Sequence, residues 1–246
     1  KKKPVYRWNF EELTEQVYAS HLKGDMSIGI QPCNENKEAK FGVIDIDPKE
    51  YDDFNKKFFI DIVQQYDLPL IPIESKSGGL HLCIFMDKFT DAKNLRSFLT
   101  NLLPLFKLKS DCEIFPKQTE LTRDEETGNL KPGQFINLPY YGDKRKAINL
   151  DGTKFELDQF LKVVESNLVS KEDLNIITND IDQKIYQGVD GDLVDGPPCL
   201  ADISKVSNQK GFDGKDRFMY NYHVFVKMKY PDSWEQKVKN APVKFF

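Results

Sequence analysis

The stretch KFGVIDIDPKE, residues 40–50, places two aspartates one residue apart in an otherwise apolar run. Successive side chains of a strand point to opposite faces, so Val43, Asp45 and Asp47 share one face while Ile44 and Ile46 share the other. Asp45 and Asp47 then stand about 6–7 Å apart along the strand. Two buried, unpaired carboxylates repel one another and are costly to desolvate. A divalent cation between them relieves both costs, and Mg²⁺ favours carboxylates together with substrate phosphates. The same letters also read as a strand end, with Asp47-Pro48 opening a turn and capping the next helix. At this point both readings stand.

Outward from this strand, helical and extended patterns alternate. Residues 9–22 carry Phe10, Leu13, Val17 and Leu22 near one helical stripe, ended by Gly24-Asp25. Residues 50–66 repeat Phe54, Phe58, Ile62 and Tyr66 near helical spacing. MSIGIQP (26–32) reads as a short strand, prolines keep LPLIPIES (68–75) extended, and LHLCIFM (80–86) is a further strand. Thr90 or Asp91 can cap a helix carrying Leu95, Phe98, Leu99 and Leu102, which Pro104 stops. DCEIFP (111–116) and QFINLPYYG (134–142) are extended, and a helix is expected over 156–167. Short helices interleaved with paired strands predict an α+β fold, a sheet covered by helices on one face.

The chain has 246 residues, of which 39% are hydrophobic and 12% aromatic, enough for a sizeable core. No apolar run approaches the ~18 residues that span a bilayer, so no membrane partner is expected. Cys33, Cys83, Cys112 and Cys199 are scattered without the close pairs a zinc site needs, and reduced thiols point to the cytoplasm. The chain starts without Met and stops on Phe245-Phe246, and an excised part of a longer protein is expected. The net charge of −4 is uneven. Residues 169–195 hold seven acids against two lysines and read as an acidic linker, whereas 196–246 hold nine Lys and Arg against five acids. The expected organisation is a catalytic domain over 1–168, the linker, and a helical module over 196–246 with helices at 199–208, 215–229 and 231–240.

Two further stretches bear on the aspartates. In ESKSGGLHLCIF, the loop Lys76, Ser77, Gly78, Gly79 enters a strand, and backbone N–H groups near glycine form a concavity suited to phosphate. His81 follows at the strand start, where a structural role is the commoner one. In SDCEIFPKQ, Glu113 is again an acid inside an apolar strand. Beside Asp45 and Asp47 it supplies the third carboxylate of a two-metal nucleotidyl transfer, in which cations activate a 3′ oxygen and clamp the leaving pyrophosphate.

DID after hydrophobics, SKSGGLH opening a strand and CEIFPKQ carrying the third acid resemble the three motifs of the archaeo-eukaryotic primase superfamily. GQFINLPYYG, GPPCL and YPDSWEQKVKN resemble its primase-polymerase branch in phages and mobile elements. The likeness covers residues 25–150 well and 196–240 loosely. It implies an RRM-like antiparallel sheet, with Asp45, Asp47 and Glu113 holding catalytic Mg²⁺ or Mn²⁺. His81, Ser77 and Lys76, with Gly78 and Gly79, would meet the triphosphate, and Lys117 and Asn137 would add nucleotide contacts. It also implies a single-stranded DNA template, nucleoside triphosphates, a helicase domain in the same full-length chain, and host cytoplasm for a phage protein. The zinc element of many relatives has no counterpart in these spacings.

Lys144, Arg145 and Lys146 after Tyr140-Tyr141, and Arg217 and Tyr222 near the C-terminus, are expected nucleic-acid contacts. Ordinary surface chemistry, or in the C-terminal module its own core, explains them as well. The polar segment 117–133 reads as a mobile cover for template or nucleotide, or as a solvated hairpin tip. Two other functions share these features: a non-catalytic origin- or single-strand-binding protein, and an end-joining or gap-filling polymerase that extends without priming. A rolling-circle initiator needs His-hydrophobic-His, and the chain has His81-Leu82-Cys83.

Overall fold

The structure, a computed structural model, describes residues 7–9, 12–186, 200 and 215–239. The chain divides into two compact units, Lys1–Thr178 and Asn179–Phe246.

In the first unit α1 spans Glu15–Lys23 and β1 Gly29–Ile30, and β2 is Glu38–Ile46. A 3₁₀ turn, Pro48–Glu50, follows, then α2 (Lys56–Gln65), β3 (Ile71–Glu74), β4 (Leu80–Asp91) and α3 (Ala92–Leu102). β5 (Glu113–Phe115), β6 (Ile136–Asn137) and α4 (Leu157–Ser166) come next, and α5 (Lys171–Tyr186) runs past the end of this unit. β2, β3, β4 and β5 form one antiparallel sheet in the order β3-β4-β2-β5, and β1 pairs with β6 in a two-stranded ribbon. The run β2-α2-β3-β4-α3-β5 with this order is the split β-α-β-β-α-β arrangement of RRM-like folds. The α+β class and the RRM-like sheet are therefore those expected.

Local chemistry sets the boundaries. Asp91 caps α3 through a bond from Asn94 N at 2.8 Å. α1 starts six residues later than the stripe suggested, because Thr14 takes the cap and accepts from Val17 N. The helix expected over 50–66 is split: the 3₁₀ turn ends at Glu50, and Asn55 caps a separate α2 by accepting from Lys57 N.

One face of the sheet carries Ile44, Ile46, Leu80, Leu82, Ile84 and Met86, all fully buried. α3 lies against it, since a Cβ on Gly42 would meet Leu99 and Leu95. The second face is covered as well. Val43, Ile71, Ile73, Cys83 and Phe115 on that face pack with Ile136, Tyr140, Ala147 and Phe160, so the ribbon and α4 cover it. Burying both faces accounts for a 9-residue β2 with only one exposed position, Lys40. Cys33, Cys83 and Cys112 are buried free thiols.

Of the acidic segment 169–195, read from the sequence as a linker, Lys171–Tyr186 form the helix α5. The second unit has α6 (Lys215–Lys229) and α7 (Trp234–Lys239), near the expected 215–229 and 231–240. Of the helix expected at 199–208 only Leu200 lies among the described residues. Leu200, Phe218, Tyr222 and Val226 form this unit's core. Among the described residues no helix is long and apolar enough to cross a membrane.

Candidate active site

The register of the sheet lines up two successive rungs on one face. Ile71, Cys83, Val43 and Phe115 pair across the four strands and are wholly apolar. The next rung, two residues along, is Ile73, His81, Asp45 and Glu113. Directly opposed residues project to the same side with Cβ atoms about 5 Å apart, so sequence-distant groups become neighbours by pairing alone. His81 Nε2 stands 3.3 Å from Asp45 Oδ1. Side-chain exposure rises along the rung, 8% for His81, 25% for Asp45 and 48% for Glu113, so the row opens towards β5. Lys117 Nζ lies 2.6 Å from Glu113 Oε1.

Asp47 lies one residue beyond β2 and acts as the cap: its Oδ1 accepts from Lys49 N at 3.1 Å, at the start of the 3₁₀ turn. This is the cap of the turn reading, made through one oxygen of the carboxylate, and it is compatible with a ligand role. Among the described residues no three His, Cys, Asp or Glu side chains converge closely enough, as they stand, to hold a metal ion. Asp45 and Glu113 nevertheless suit one. Both are hard oxygen donors on paired positions of adjacent strands.

The SKSGG segment is the β3–β4 turn. Ser75 N donates to Gly79 O at 3.1 Å and Gly78 N to Ser75 O at 3.2 Å, while the Ser75 and Ser77 hydroxyls lie 2.9 Å apart. Lys76, Ser77 and Gly78 stand exposed at its tip, and Gly78 has a φ of +87°, which favours glycine. Gly79 is needed for a different reason: a Cβ there would lie 2.2 Å from Ile46 O and 2.8 Å from Pro48 Cδ. This close approach sets the turn against the end of β2, beside Asp47.

The other expected residues are placed as follows. Asn137 pairs with Gly29 in the ribbon, next to Ile136, which packs on the face that carries the row. Of the basic trio, Lys144 is exposed. Arg145 is buried, donates to Ser27 Oγ and Leu138 O, and lies over the Tyr141 ring, so the surface role expected of it is replaced by an internal one. Lys146 is held between Asp143 and Glu156, whose hydrogen bonds raise its pKa. In the second unit Arg217 is exposed, whereas Tyr222 is fully buried and stacked on Phe218, a core residue rather than a base-stacking surface. The segment 117–133 contains a hairpin, with Arg123 bridging to Leu130 and Asp124 accepting from Thr127 N and Glu126 N at its tip.

Sequence reasoning passed over the support of β2's end. Cys112 Sγ donates to Asp45 O at 3.4 Å, and burial pushes its thiol up to about 11. Burial likewise pushes the neighbouring Tyr51 hydroxyl up to about 12. No local pattern marks the Cys112 contact, because it joins residues 67 apart in the chain.

The family model described as the archaeo-eukaryotic primase domain of the TOTE conflict system matches residues 2–166. No curated protein shows a significant match.

Proposed function

The chain belongs to the archaeo-eukaryotic primase domain family of TOTE conflict systems, a nucleotidyltransferase-type family, and from that premise we propose that it is a DNA primase-polymerase. It would join nucleotides on a single-stranded DNA template and extend the product. The observation that carries this reading is the rung His81–Asp45–Glu113, two acids and a histidine set side by side on an otherwise apolar face.

Asp45 and Glu113 would hold Mg²⁺ or Mn²⁺, and Asp47, whose cap on Lys49 N uses Oδ1, would add its second carboxylate oxygen. Such a cation lowers the pKa of a 3′ hydroxyl and balances the charge of the leaving pyrophosphate. The protein's own residues do the rest by position. Buried His81 keeps the Asp45 carboxylate aimed along the rung. Lys117, which now pairs with Glu113, would lend its ammonium to the triphosphate. The exposed tip Lys76, Ser77 and Gly78 offers a further cation and hydroxyl to the same phosphates, next to the end of β2. Asn137 and Lys144 are left for base and backbone contacts. Holding both reactants in line accounts for most of the acceleration such a site can supply.

The test is incubation of the chain with labelled nucleotides and Mg²⁺ or Mn²⁺ on primer-free and on primed single-stranded DNA. Short products without a primer support a primase-polymerase. Products only from a primer reduce it to an extending polymerase, and retarded DNA without product to a binding protein.

A further inference from the structure

β5 is the outer strand of its sheet and only three residues long, yet it carries Glu113. A strand this short, paired on one side, has little of its own to fix its register. The other side is gripped by one residue. Arg96 Nη1, from α3, donates to Ile114 O at 2.6 Å and to Pro116 O at 2.8 Å. Its helix is itself packed on the sheet, with the neighbouring Leu95 and Leu99 completely buried beneath β2.

The two carbonyls that Arg96 holds belong to a five-residue segment with a particular content. Immediately before Ile114 is Glu113, and immediately after Pro116 is Lys117, the 2.6 Å ion pair of the site. A planar guanidinium nitrogen with two N–H groups satisfies both acceptors at once and fixes their separation, as a further strand would. We propose that Arg96 is the positioning residue of this site. It stands in for a missing fifth strand and fixes where the Glu113 carboxylate and the Lys117 ammonium lie relative to Asp45. The proposal rests on the nucleotidyltransferase reading and adds to it a residue that touches neither nucleotide nor cation.

The experiment uses the 246-residue chain with Arg96→Met, which keeps the apolar stem and loses the donors, and Arg96→Lys, which keeps the charge. Mn²⁺ binding without nucleotide is measured by paramagnetic resonance, at a temperature where melting shows every variant folded. Nucleotide incorporation is measured in parallel as kcat and KM. In the supporting outcome the Mn²⁺ affinity of Arg96→Met is lower by roughly 10–100-fold, the cost of losing a group that orients ligands from behind. In the same outcome kcat falls with KM little changed, and Arg96→Lys recovers part of both. Arg96→Met that melts lower but binds Mn²⁺ and turns over like the parent overturns the positioning role. A parent chain that binds no Mn²⁺ and incorporates no nucleotide overturns instead the reading of the site on which the proposal rests.

Discussion

Gly79→Ala tests the join between the phosphate-side turn and the end of β2. The added Cβ would sit 2.2 Å from Ile46 O, 2.8 Å from Pro48 Cδ and 3.1 Å from Ser75 Oγ. The nearest atom is backbone of a fully buried strand residue, so no rotamer change relieves it and the turn itself must lift away. Overpacking of this kind costs about 1–3 kcal/mol, and a backbone obstacle places it near the upper end. For a unit of this size, 3 kcal/mol lowers the melting midpoint by roughly 6–12 °C. Gly78→Ala is the control. Its φ of +87° penalises a side chain, but the space around it is open, so only the backbone cost of about 1 kcal/mol applies, roughly 2–4 °C. Thermal melting followed by circular dichroism reads both variants, and nucleotide incorporation at low temperature reads the site. Gly79→Ala should melt lower and lose incorporation, and Gly78→Ala should keep most of both. Gly79→Ala melting no lower than Gly78→Ala would refute the close approach.

Asp47→Asn keeps an oxygen acceptor for Lys49 N but loses the charge, whereas Asp47→Ala loses both; if Asp47 is only a cap, Asn keeps stability and activity and Ala costs about 1 kcal/mol in urea unfolding. Activity lost in the folded Asn variant would show that the Asp47 carboxylate acts as a ligand as well as a cap. Lys117→Met removes a half-exposed ion pair, so unfolding free energy should change by less than about 1 kcal/mol while the nucleotide KM rises; an unchanged KM in steady-state kinetics contradicts the triphosphate role. Glu74 loses some of its acidity to burial, but hydrogen bonds from Lys154 and Lys56 outweigh this and hold its pKa below the usual glutamate value. That stability is present above the unfolded pKa of about 4.3 and is lost as pH falls through the folded value. Urea midpoints of the parent should therefore fall more steeply below about pH 4.3 than those of Glu74→Gln, and parallel curves would contradict the pairing. Deleting 196–246 should abolish unprimed synthesis yet leave extension of a supplied primer, and equal loss of both would refute a separate role for that module.

Much of the sheet was legible because its signals are local. Alternation in 40–47 gives β2 its two faces, and Asp91, the Leu95–Leu102 stripe and Pro104 bracket α3 on chemistry that acts within a few residues. The acids and the histidine were legible as polar letters in apolar strands, but their assembly into one rung depends on register between distant segments. That register also hid the work of Arg96 and Cys112. Arg145 shows the opposite failure: in a row of Lys144, Arg145 and Lys146 it looks like surface charge, and only the turn, with Arg145 at a φ of +58°, sends its side chain inward. Asp47 was ambiguous for a physical reason, since an aspartate before proline is equally suited to capping and to binding a cation. Tyr222 shared a helix with bases, and the i, i+4, i+8 spacing of Phe218, Tyr222 and Val226 marks the side that is buried.

On the proposed reading the rung His81–Asp45–Glu113 performs nucleotidyl transfer. Its most direct test is incorporation of labelled nucleotides on single-stranded DNA with Mn²⁺ or Mg²⁺, comparing the parent chain with Asp45→Ala of matching circular dichroism. Product from the parent and none above background from Asp45→Ala is the predicted result. A folded Asp45→Ala chain that incorporates nucleotides as the parent does would contradict it.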